Sequence, residues 1–162
     1  MFESETLKKK KKGSDLQFII FNLADQEYGI NILDSREIVT FDQLTVIPDS
    51  PEFVSGVINL RDNIIPIIDL TKKFNLKESS VQMEKIIIIL VNNNLIGLAV
   101  KDVKEILRIN SDDISDPPEI TKNIDKNYVE GIARLDERLL ILLDVESIFS
   151  KKEIKQIEDM DT

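Results

Sequence analysis

Phe53 to Phe74 reads FVSGVINLRDNIIPIIDLTKKF, and Tyr128 to Phe149 reads YVEGIARLDERLLILLDVESIF. The two stretches align without a gap. Val54, Gly56, Leu60, Asp69 and Phe74 recur as Val129, Gly131, Leu135, Asp144 and Phe149, and most other apolar positions keep their character. A second echo pairs Phe18–Thr40 with Ile86–Arg108, where Gly29, Asp34, Glu37 and Ile38 recur as Gly97, Asp102, Glu105 and Ile106. One small unit is therefore written twice, and that repeat decides the architecture.

Each copy reads as short strands separated by turns. QFIIFNL, Tyr28–Ile32, Arg36–Phe41 and Thr45–Ile47 are strand-like, and Pro48 stops the last. Asp49, Ser50 and Pro51 carry an N-cap and first-turn proline pattern, which predicts one helical turn ended by Gly56. Val57–Leu60 and Ile64–Asp69 form a hairpin around Arg61-Asp62-Asn63, residue types that accept left-handed geometry. Thr71–Phe74 is a short helix or turn, and polar Lys77–Glu84 links the copies. In the second copy, Ile86–Val91 is apolar at consecutive positions, the pattern of a strand buried on both faces. It is placed near the contact between the copies. Strands Leu95–Val100 and Glu105–Ile109 follow, then a loop over Asp112–Lys126. Ser150 and Glu153 have the spacing of a capping box for a terminal helix with a thin apolar face, Ile154 and Ile157.

Short strands at steady spacing predict an all-β fold. The expectation is two tandem SH3-like five-stranded β-barrels on a shared hydrophobic core, with short helices and a C-terminal helix; two four-stranded sandwiches are the alternative. The predicted organisation is a disordered lysine-rich tail over 1–15, two interlocked barrels over roughly 16–80 and 81–150, and a helix over 151–162. A chain of 162 residues can bury about 70% of its unfolded surface. A single copy would be marginal alone, so the copies are expected to pack together.

Composition excludes much chemistry. The chain has neither cysteine nor histidine, so thiolate sites, disulfides and the commonest general base are ruled out. No serine sits in a Gly-x-Ser-x-Gly elbow, the five glycines form no phosphate loop, and no EF-hand spacing occurs. Net charge is −9, and residues 1–12 hold five lysines against two glutamates, which leaves −12 on the rest. An acidic body of that kind repels nucleic acid and anionic membrane. The longest apolar run, Ile86–Val91, is far short of the ~20 residues a membrane helix needs, and Lys8–Lys12 is not followed by a signal-peptide core. A cytoplasmic protein is expected.

Paired carboxylates remain. Asp69 and Asp144 end equivalent strands, where capping the next helical turn is their expected role. A carboxylate-dependent, metal-requiring hydrolase is the catalytic alternative. Positions that both copies share are expected to serve the fold, and positions where they differ are better functional candidates. Arg61 differs, because Asp136 is its counterpart, and a Glu37–Arg61 ion pair across neighbouring strands is expected. Phe41, Leu44, Val46, Ile47 and Pro48 form either an exposed docking patch or the closure of the first barrel's own core.

EYGINILDSREI, FDQLTVIPDSPEFVSGVINLR, IIPIIDL, LIGLAVKDVKEIL and ERLLILLDVESIF together resemble the CheW family of bacterial chemotaxis coupling proteins, across nearly all of residues 16–150. The resemblance implies two SH3-like barrels, no catalysis and no cofactor. It implies a cytoplasmic adaptor recruited to membrane receptor arrays. Its partners would be the cytoplasmic tip of methyl-accepting chemoreceptors and the regulatory domain of the histidine kinase CheA, without nucleic acid or direct membrane insertion. A CheW-like module of a larger signalling protein is a close variant. By the same resemblance, Ser35, Glu37, Gly56, Arg61, Ile86 and Ile106 would bind receptor, and Phe41, Leu44, Val46 and Ile47 would face the kinase. Two departures stand out: Asp62 replaces the glycine of the family's NLRG turn, and Ser35 is polar where relatives are often apolar. The lysine run has no counterpart role.

Overall fold

The computed structural model describes residues 13–40, 43–76, 85–117 and 125–160. The tail over 1–12, Phe41 and the link over 77–84 lie outside the described residues. Gly13 and Ser14 are already fixed to the body: their amides donate to Asp112 Oδ1 at 3.1 Å and Ser111 Oγ at 3.2 Å.

Strands dominate, as expected of an all-β chain. The first copy contributes β1 (Asp15–Leu23), β2 (Gln26–Asn31), β3 (Ser35–Thr40), β4 (Val54–Leu60) and β5 (Asn63–Asp69). The second contributes β6 (Lys85–Val91), β7 (Asn94–Val100), β8 (Val103–Asn110), a short β9 (Ile114–Ser115), β10 (Val129–Leu135) and β11 (Arg138–Leu143). Helices are short: α1 (Leu70–Lys73), α2 (Val145–Ile148) and α3 (Lys151–Asp159). The capping box predicted for α3 is formed reciprocally by Ser150 and Glu153.

One sheet runs β3-β6-β7-β5-β4 and the other β8-β1-β2-β11-β10-β9. The chain leaving β3 returns at Thr45 to bridge Val57 on β4, the opposite edge, and β9 does the same on β10. That return curls each sheet into a small SH3-like barrel.

The expected split at 80/81 does not match the sheets. Hairpin β1–β2 from the first copy sits between β8 and β11 of the second, and hairpin β6–β7 sits between β3 and β5 of the first. The two copies have exchanged their first hairpins. A two-stranded hairpin is marginal alone, and either sheet offers it the same kind of edge, so the repeat does not dictate the partner. Each seam is a parallel pairing, with Gly29 beside Leu142 and Gly97 beside Ile67. At Gly97 an added Cβ would come within 2.6 Å of Ile67 Cδ1, which explains a glycine kept in both copies.

The exchange also explains the continuous apolar runs. Ile19, Phe21, Ile87 and Ile89 face a core shared by both barrels. Phe18 and Ile20 face the interior of the second barrel, and Ile86 and Ile88 that of the first. Ile86–Val91 is thus buried on both faces as predicted.

The turn at Asp49-Ser50-Pro51 is not helical. Asp49 is left-handed (φ 64°), and Val54 N–H donates to Pro51 carbonyl at 3.0 Å as the chain enters β4. The local cap signal is overridden by the two backbone bonds between Thr45 and Val57, 2.8 and 2.9 Å, which hold this segment on the sheet edge. Gly56 lies inside β4, at a register shift, rather than ending a helix.

Candidate functional site

Arg61 opens the two-residue β4–β5 turn, and both Arg61 and Asp62 are left-handed (φ 50° and 68°). Asp62 therefore supports the same tight hairpin that glycine would. From that corner the guanidinium meets Glu37 on β3 in a two-pronged bond, Nη1 to Oε2 at 2.5 Å and Nη2 to Oε1 at 2.9 Å. The predicted pair exists, but not across neighbouring strands. β3 and β4 are opposite edges of the sheet, so the pair spans the mouth of the first barrel. The bonds from Arg61 hold the Glu37 carboxyl below its ordinary range, and Glu37 pushes the guanidinium up.

Beneath the pair lies an open cleft of about 340 Å³, walled by Leu60, Ile65, Ile88, Leu90 and Leu95. The floor is apolar and the rim charged, the composition of a site that grips an apolar side chain and orients it with a polar edge.

The second barrel treats the same mouth differently. Arg138 on β11 donates to Glu27 at 2.7 and 3.0 Å and to Glu105 at 2.8 Å, and Lys104 lies 3.3 Å from Glu27. Glu105 is the counterpart of Glu37, but Glu27 stands where the first barrel has Leu95, and Asn22 where it has Leu90. Charged and polar side chains thus replace two of the apolar walls that the cleft has in the first barrel. Bonding to Arg138 holds Glu27 below its ordinary range, against a smaller opposing effect of burial, and raises Arg138. This network escapes sequence comparison column by column, because Arg138 aligns with Asn63 and not with Arg61. The available signal was Arg138 directly opposite Leu135 at the base of the same hairpin.

The other expected receptor residues separate. Ile106 on β8 is 50% exposed, and its counterpart Ile38 on β3 is 37% exposed. They pair with Ile19 and Ile87, which belong to the shared core, so each extends the inter-barrel face outward along an edge strand. Leu33, 63% exposed, adds a third aliphatic side chain missed in the sequence. Ser35 donates to Ile32 carbonyl at 2.8 Å and lines a polar cleft of about 490 Å³ with Leu33, Arg36, Asn92, Asn93 and Glu146. Ile86 does not reach the surface: it is fully buried in the first barrel, the inward side of a two-faced strand. Gly56 is a packing position, because a Cβ there would stand 2.5 Å from Thr45 carbonyl oxygen.

The expected kinase patch divides. Leu44 is half-buried and packs on the first barrel's core, Ile47 is half-buried, and Val46 is 72% exposed. Asp69 and Asp144 cap α1 and α2, accepting from Thr71 N–H at 3.0 Å and Glu146 N–H at 3.2 Å. No described helix is long and apolar enough to cross a membrane.

Comparison with known proteins gives one answer. Residues 17–153 match the family model of the CheW-like domain. The chemotaxis protein CheW of Klebsiella aerogenes is 37% identical over 145 residues, 89% of this chain and 87% of that protein. The CheW of Treponema pallidum is 31% identical over 149 residues, with 89% and 88% covered. Among solved structures, the scaffolding protein TtCheW from Thermoanaerobacter tengcongensis superposes with a TM-score of 0.80 at 36% identity, covering 86% of this chain and 96% of that one.

Proposed function

The chain belongs to the CheW-like family, and from that premise we propose that it is a non-enzymatic chemotaxis adaptor coupling transmembrane chemoreceptors to the histidine kinase CheA. It works in the cytoplasm, recruited to membrane receptor arrays, and needs no cofactor. The observation that carries the reading is the asymmetry of the two barrel mouths: one carries a charge network of Glu27, Glu105 and Arg138, and the other keeps an apolar cleft behind the Glu37–Arg61 pair. Gripping one receptor tip needs one such site, and a duplicated fold supplies it where the copies diverge.

In this reading Glu37 and Arg61 orient the receptor's helical tip, and Ile106 and Ser35 supply an apolar and a polar contact on the faces beside them. Gly56 and Ile86 act from behind, by holding β4 and β6 in place. The kinase's regulatory domain meets the first barrel at Val46, with Leu44 and Ile47 beside it; Phe41, expected from the family resemblance to share this contact, lies outside the described residues. The hydrolase alternative finds no support, since Asp69 and Asp144 are both engaged by helix N–H groups.

The test is reconstitution with a CheA-type kinase and a chemoreceptor cytoplasmic fragment, followed by co-sedimentation and autophosphorylation. Complex and kinase control should both require this chain. Arg61→Ala should weaken receptor-fragment binding while leaving the unfolding midpoint almost unchanged, because the pair is solvent-exposed and screened. Unaltered kinase control in that variant would remove Arg61 from the site.

A further inference from the structure

The C-terminal helix α3 touches more than its own barrel. With nine residues it is shorter than the roughly 12–15 that make an isolated helix even marginal, so its order depends on what it docks against. Ile154 and Ile157 enter the shared core. At its first turn, Glu153 lies 3.5 Å from Lys73 Nζ, on α1 of the first copy. At its last, Glu158 Oε2 accepts from Asn94 Nδ2 at 3.0 Å, at the β6–β7 turn.

Lys73 is an unusual anchor. Its side chain is 5% exposed and lies among the rings of Tyr128, Phe53 and Phe149, with Nζ 4.6, 5.8 and 6.0 Å from their centres. It donates to Tyr128 hydroxyl at 3.1 Å. Its counterpart in the second copy is Ile148, fully buried. A covered ammonium must be met by partners, and Glu153 is the carboxylate that meets it. At the other end, Asn94 Nδ2 also donates to Asn92 carbonyl at 3.1 Å, so one amide binds the turn to itself and to the helix. Asn92 and Asn93 form a wall of the cleft that holds Ser35 and Arg36. The helix runs on to Asp159, past residue 153 where the family match ends.

We propose that α3 is a strap that fixes the β6–β7 turn against the cleft at Ser35 and Arg36, with Glu158 and Asn94 as positioning residues for the chemoreceptor segment that binds there. This rests on the adaptor reading. Lys73 locks the near end of the strap, and Glu158 transmits its position to the turn.

Three full-length proteins test it: wild type, Glu158→Ala and Lys73→Met, the last keeping apolar bulk among the rings. Two quantities are read: hydrogen exchange at the amides of residues 92–95, and affinity for a chemoreceptor cytoplasmic hairpin fragment, with the CheA regulatory domain as control ligand. Both variants should exchange faster at the turn and bind the receptor fragment about fivefold more weakly, within the usual range of coupling between sites, with kinase-domain affinity unchanged. Unchanged exchange, or a loosened turn with wild-type receptor affinity, overturns the strap alone. Wild type that binds no receptor fragment overturns the adaptor reading, and the positioning role with it.

Discussion

Arg61 and Asp62 carry opposite burdens at one turn. Both sit left-handed, a conformation in which an L-residue's Cβ crowds the following carbonyl at a cost of roughly 1–2 kcal/mol, less for Asp. Arg61 is kept there by what its side chain does, since the corner aims the guanidinium at Glu37 across the barrel mouth. Asp62 makes no comparable bond among the described residues. Asp62→Gly should therefore stabilise the protein by about 0.5–1 kcal/mol, read as a higher urea midpoint at constant slope. The same turn shows what a sequence discloses at this scale. Residue types marked the hairpin correctly, and comparing the copies singled out Arg61. Exposure was not visible: Ile86 and Ile106 look alike in the sequence, yet one is sealed in a barrel and the other half-open on an edge strand.

Among the elements, the two seams matter most, because there a strand from one copy lies parallel to a strand from the other. At the β2–β11 seam, Glu27 pairs in register with Leu140, and its carboxylate bonds Arg138 on the partner strand. Gln26 Nε2 adds a bond to Leu139 carbonyl at 2.8 Å. The charge network is thus a clamp on an exchanged hairpin. Because Arg138 holds Glu27 below its ordinary value of 4.5, the folded protein favours the ionised carboxylate more than the unfolded chain does. That stability is present above 4.5 and is lost as pH falls through the lowered value. Wild type should exceed Glu27→Gln in thermal midpoint at about pH 7, with the gap shrinking below about pH 4.5; a gap constant down to about pH 3 would show that Glu27 acts by shape and not by charge. Strands, caps and the terminal helix were readable from periodicity and end signals. β9 and the missing helical turn at Pro51 were not, since both depend on a pairing with a strand distant in sequence.

Across the whole molecule, the repeat says that two like units exist but not how they share their parts. Apolar runs such as Ile86–Val91 report burial on two faces, and a strand meets that condition equally in its own copy's sheet or in the other's. Hairpin exchange follows the second course, so each barrel is built from both halves of the chain. Folding should then be a single event. Leu142 and Ile67 are fully buried and hold equivalent places beside Gly29 and Gly97, one at each seam. Leu142→Ala and Ile67→Ala should each cost about 2–5 kcal/mol and lower one common transition, seen alike by circular dichroism and by hydrogen exchange in both sheets. A chain cut within residues 77–84 should give two pieces that fold only when mixed, because each lacks a hairpin that its own strands need. If either piece folded alone, or if the two substitutions split the transition into separate steps, the barrels would be independent units joined by a linker. A cleft in one barrel braced by a helix from the other would then have no reason to respond to it.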